Sequence, residues 1–186
     1  MIAKSEFLHM KKHLFLPFIF AVVLIACKSQ SGKPTDEIVQ EIIDAKDLKV
    51  EKPDVPCMGV QYNVDGDEIR MAFVESGMGD GGEDLVYYFS EGKMIFVKAH
   101  SFFESYTESA DTAQEMHTVT MENYNNYYFE NDKLVSCFKL DAKNNMKAEK
   151  VDIKDKEQQK WETILVEQSK KLLEAYKNKN FNILCD

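Results

Sequence analysis

From Met58 onward apolar and polar residues alternate with a period of two. Met58, Val60, Tyr62 and Val64 lie on one side, Asp65-Gly66 supplies a turn, and Ile69, Met71 and Phe73 resume the alternation. That pattern predicts a β-hairpin. Leu85 to Phe89 and Lys93 to about Phe102 form a second predicted hairpin, turned by Ser90-Glu91-Gly92. The segment Tyr87-Tyr88-Phe89-Ser90-Glu91-Gly92-Lys93-Met94-Ile95 recurs in outline as Tyr127-Tyr128-Phe129-Glu130-Asn131-Asp132-Lys133-Leu134-Val135, which reads as a duplicated hairpin. Two copies are too few for a solenoid or a propeller.

The period changes at both ends. Thr35 can cap a helix, Asp36 and Glu37 suit its positive end, and Ile38, Ile42 and Ala45 recur on one face, with Val39 and Ile43 beside them. This helix should run to about Lys46, and Pro53 and Pro56 forbid its continuation. Near the C-terminus Asp155 is placed to cap a long helix, with Gln158 as its capping-box partner. Its predicted buried face is Trp161, Ile164, Leu165, Gln168, Leu172, Ala175 and Tyr176, and it ends near Asn178. Short connections favour antiparallel pairing, since parallel strands need long crossovers. The expected class is α+β: an antiparallel meander of about six strands with the long helix laid across one face. A small closed barrel with an external helix is the alternative.

Ahead of this domain stands Met10-Lys11-Lys12-His13, then an apolar run from Leu14 to Ala26, then Cys27. A charged start, a greasy middle and small residues before a cleavage point make a secretory signal, and the run is short for a membrane span. Leu24-Ile25-Ala26-Cys27 resembles the lipobox of bacterial lipoproteins. The resemblance implies that residues 1–26 are removed, that the Cys27 thiol carries a diacylglycerol, and that the new amino terminus is acylated. Met10 is the more natural start of such a signal than Met1. Residues 27–33 read as a lipidated tether and 34–186 as a single domain. Lys28-Ser29-Gln30-Ser31-Gly32 carries no acidic residue, so the expected location is the outer membrane, facing the periplasm.

The charge balance narrows the partners. The leader holds three of the 23 basic and one of the 32 acidic residues, so the mature part keeps 20 against 31, a net charge near −11. Such a chain is not built for nucleic acid or for gripping anionic lipid head groups. Arg70 is the only arginine. Besides Cys27 there are Cys57, Cys137 and Cys185. In an oxidising compartment one pair should bridge, and Cys57 with Cys185 would tie the two ends of the domain. Cys137, inside a strand pattern, reads as a small buried apolar residue. These cysteines with His100 and His117 lack paired zinc-ligand spacing.

Catalytic signatures are lacking: there is no Gly-x-Ser-x-Gly, His-Glu-x-x-His or Cys-His motif, and no catalytic residue is nominated. Gly77 to Asp84 is the most flexible-looking stretch. Asp80, Glu83 and Asp84 would repel a phosphate there, so calcium is the one cofactor weighed, against a plain solvated connection. Asn63 to Glu68 has its glycine in the wrong place for a calcium loop and reads as a turn. The aromatics are more suggestive. Strand alternation puts Tyr87 and Phe89 on one side and Tyr88 on the other, and likewise Tyr127 and Phe129 against Tyr128. One set fills the core; the other, Tyr88 and Tyr128 with Tyr106 and Tyr124, would form a tyrosine platform for a protein or glycan. The expected function is therefore a non-catalytic binding or inhibitory domain on an envelope lipoprotein. A cell-wall or glycan hydrolase and a structural assembly factor are the alternatives. An exposed tyrosine cluster would favour binding, a histidine beside an acid the enzyme, and an uncovered apolar helix stripe the assembly factor.

Overall fold

A computed structural model describes residues 33–78, 80–108, 116–143 and 146–186. The leader, Cys27 and the tether as far as Gly32 lie outside the described residues, as do the side chains of Tyr106 and His117.

The chain forms α1 (Thr35–Asp44), then strands β1 (Lys49–Glu51), β2 (Gly59–Asp65), β3 (Glu68–Met78), β4 (Gly81–Ser90), β5 (Lys93–Glu108), β6 (Met116–Glu130), β7 (Lys133–Asp141) and β8 (Lys147–Val151). Helix α2 (Lys156–Asn178) and a 3-10 turn, Phe181–Leu184, complete it. All eight strands form one antiparallel sheet in strict chain order, and Lys33–Asp186 is one compact unit. The α+β class holds with eight strands instead of about six. The sheet is open, with β1 and β8 as its edges, and not a closed barrel. Both additional strands are short and mostly exposed and lysine-bearing, a composition that discourages edge-to-edge aggregation.

Three hairpins share one plan. In each, a fully buried tyrosine is followed two residues on by a core residue, then a two-residue turn, then a bulge in the return strand. The sets are Tyr62, Val64 and Ile69; Tyr87, Phe89 and Met94; and Tyr127, Phe129 and Leu134. The turns use left-handed residues: Gly66 (φ 59°), Glu91 with Gly92 (52° and 71°), and Asn131 with Asp132 (50° and 61°). Two consecutive positive φ values suit the primed turn that matches strand twist.

These tyrosines lie on the inner face, under α2. Tyr62 donates its hydroxyl hydrogen to the Leu172 carbonyl (3.1 Å), and Tyr87 donates to Gln168 Oε1 (2.7 Å). The Tyr127 ring meets Trp161 at 6.2 Å. The helix thus crosses the sheet obliquely, its C-terminal turns over β2 and its first turns over β6. Asp155 caps it by accepting the Glu157 N–H, whereas Gln158 is buried with an unpartnered Oε1, so the capping box does not close. Ile164, placed on the buried face by spacing, is 38% exposed; Ser169 takes the buried place instead. Lys179, left-handed at φ 50°, ends the helix. Cys57 and Cys185 are joined by a disulfide, and Cys137 is a free, buried thiol whose pKa burial pushes up to about 11.

The outer face carries α1. Val39 and Ile42 are buried against Tyr88, Ile95 and Phe96, with Ile38 and Tyr128 beside them. Burial of each aliphatic is worth roughly 1.5–3 kcal/mol. The stretch that looks most flexible in the sequence is largely strand: Gly77 pairs with Gly82 and Met78 with Gly81, and Glu83 and Asp84 continue β4. Glycine hides the period of two there because alternate side chains are missing.

Candidate functional site

Helix α1 shields only part of the outer face. Beyond it, strand register lines up Gly59, Glu75, Asp84, His100, Tyr124 and Leu140 as direct neighbours across β2 to β7. Neighbours in such a row approach closely enough to interact. His100 is the hub. Its ring lies flat on Tyr124, with centroids 4.3 Å apart and planes 7° apart. Its Nδ1 faces Asp84 Oδ2 at 3.5 Å, and its Nε2 faces Glu122 Oε1 at 3.8 Å. The Tyr124 hydroxyl donates to Glu122 Oε2 at 3.1 Å, which holds that carboxylate against the ring pair. His100 Nε2 is buried and makes no hydrogen bond.

Phe102, two residues along β5, extends this array, its ring centroid 5.8 Å from that of His100. Its ring lies across Gly82, where a Cβ would come within 2.7 Å of the Phe102 Cζ. Only glycine leaves that space. Beside Phe102 opens a cavity of about 440 Å³, lined by Met58, Gly59, Glu75, Gly77 and Asp84. Glu75 and Asp84 stand directly opposite each other on its floor.

The tyrosine platform is not assembled as the sequence suggested. Tyr88 is 4% exposed and belongs to the core beneath α1. Tyr128 is half-buried; its hydroxyl donates to Asp36 at 2.9 Å, and burial first, then that bond, push its pKa up to about 12. Of the three with described side chains only Tyr124 is placed in the array beyond α1, and the Tyr106 side chain lies outside the described residues. The calcium trio does not converge either. Glu83 and Asp84 are consecutive strand residues with side chains on opposite faces. Glu83 sits on the inner face, its carboxyl held above the usual range by burial. Among the described residues no three His, Cys, Asp or Glu gather as a metal-binding group.

Reasoning from sequence missed His100, Phe102, Glu75 and Glu122 as members of one surface. The available signal was parity: His100 and Phe102 share a strand face, as do Glu122 and Tyr124. Chemically the array offers acceptors, flat rings and one imidazole on a half-buried surface. The His100 nitrogens are turned to carboxylates, and among the described residues no hydroxyl or thiol is hydrogen-bonded to them. Compared with known protein families, curated proteins and solved structures, the chain matches none.

Proposed function

We propose that this chain is an outer-membrane lipoprotein, anchored through Cys27 and facing the periplasm, whose domain binds a protein or glycan through the outer face of its sheet. The observation that carries the reading is the half of that face over which no described helix lies, where His100, Phe102, Tyr124, Asp84 and Glu122 stand side by side. Aromatic rings with polar rims are what binding hot spots use. The lipobox resemblance supplies the anchor. A hydrolase is the second reading, favoured by the histidine set between two acids. Catalysis gains from water exclusion and a positioned nucleophile. The absence of a hydroxyl or thiol bonded to His100 among the described residues favours binding. For the assembly-factor reading, Ile43 and Ile164 are single exposed positions on α1 and α2; scattered exposed apolar residues need no partner.

The test is site-specific photocrosslinking in the source cells. A crosslinking amino acid at Tyr124 should capture a discrete partner, and the same group at Glu167 on the exposed side of α2 should not. Equal capture from both positions, or none, would overturn the binding reading. In the same strain, Cys27→Ser should abolish membrane fractionation; retention there would overturn the anchor.

A further inference from the structure

Glu75 and Asp84 oppose each other on adjacent strands of the outer face, an arrangement that costs stability because like charges directly across a sheet repel. Among the described residues no lysine or arginine pairs with either carboxylate. Among the described residues Glu75 makes no ion pair, and Asp84 meets only His100. Among the described residues the lysines and arginine that do pair are committed elsewhere: Lys33 to Glu41, Arg70 to Glu68, Lys170 to Asp132, Lys179 and Lys49 to Glu51. A departure from local design rules without an internal compensation marks a place where function sets the residue.

The surroundings state what is missing. The two carboxylates border a cavity of about 440 Å³, kept open by Gly59 and Gly77 and walled by the Phe102 ring. Carboxylates on one side and an aromatic face on the other are the two attractions that a guanidinium or ammonium can satisfy together. The row continues through His100 to Tyr124, with Glu122 two residues along β6, so further basic residues would meet a third carboxylate and another ring.

We propose that this face, over which no described helix lies, receives a basic segment of a partner protein, with one arginine or lysine side chain seated between Glu75, Asp84 and Phe102. This rests on the binding-module reading and narrows it to a partner whose charge complements the mature domain's excess of acids.

The experiment uses the full chain in non-ionic detergent and capped tetra-arginine as probe, followed by calorimetry. Capped tetra-glutamate and a tetrameric N-acetylglucosamine oligosaccharide are run beside it. Tetra-arginine should bind, and Glu75→Gln/Asp84→Asn should weaken it by about tenfold or more. The control Glu167→Gln/Glu174→Gln removes the same charge from the exposed side of α2 and should weaken it by less than about twofold. Phe102→Leu, which keeps every charge, should weaken it about two- to fivefold. The Glu75→Gln/Asp84→Asn protein should melt no lower than wild type, because a repulsion is removed. If it does melt lower, Phe102→Leu decides the matter alone. Equal losses in the two charge variants would reduce the effect to overall attraction and overturn the site. Binding of the oligosaccharide and not of tetra-arginine would overturn the basic occupant and leave the binding module standing. Absence of binding by any probe, with crosslinks still formed at Tyr124, would likewise sink only this narrower claim.

Discussion

Removal of the Cys57–Cys185 bridge is the perturbation whose magnitude follows most directly from the fold. The bridge spans a sequence separation of 128 and encloses β2 to β8 and α2. Closing a loop of that length removes chain entropy from the unfolded state worth about 5 kcal/mol at room temperature. The folded side is also affected. Phe181 lies 6.0 Å from the Tyr62 ring, and Leu184 is 7% exposed, so the C-terminal turn is packed as well as tethered. That packing limits how far the turn frays. The Cys57→Ser/Cys185→Ser protein should therefore fold and bury the same core, but with stability lowered by about 5 kcal/mol. For a domain of this size the melting midpoint should drop by roughly 10–20 °C. Guanidinium unfolding followed by tryptophan fluorescence suits the measurement, since Trp161 reports α2 docking on Tyr127. A loss below about 2 kcal/mol would refute the entropic reasoning and mean that packing alone fixes the C-terminus.

Three further outcomes follow from the same structure. Tyr62→Phe and Tyr87→Phe should each cost about 1 kcal/mol in urea unfolding, since each removes one hydrogen bond to α2 without opening a cavity. Alkaline conditions should unfold the domain. Tyr62, Tyr87, Tyr127 and Tyr128 all have pKa values raised above 10, mainly by burial, that of Tyr128 to about 12. The folded state therefore holds these protons longer than the unfolded chain does. Stability is intact below about pH 10 and is lost as pH climbs through about 12, so a circular dichroism titration that stays flat across that window would contradict the assignment. Gly82→Ala should displace Phe102 and cost about 1–3 kcal/mol in a thermal melt, while Gly66→Ala meets no neighbour and suffers only its backbone strain.

The sequence carried the hairpins and both helices clearly because their apolar residues recur at strand and helix spacing. Edge strands β1 and β8 were illegible: Lys49–Glu51 and Lys147–Val151 bury almost nothing, so no apolar alternation marks them. The first hairpin is legible as a hairpin, but its likeness to the other two is not, because Tyr62, Val64 and Ile69 keep the positions and lack the Tyr-Tyr-Phe wording. Period two correctly separated Tyr88 from Tyr87. It could not say that α1 would lie over Tyr88, since that is a contact between distant parts of the chain. His100 showed no motif for the same reason. Its partners Asp84, Glu122 and Tyr124 come from neighbouring strands, and register brings them together, not proximity in sequence.

Because every strand pairs only with those just before and after it, a chain released amino end first can close hairpin after hairpin as it emerges. Cys57 is then available long before its mate Cys185, and Cys137 passes between them. Prompt zipping of β6 onto β7 sequesters that middle thiol, fully buried between the sheet and α2 once folded. Slow closure there would let Cys57 bond to the wrong sulfur, so the pace of one hairpin governs the fidelity of oxidation.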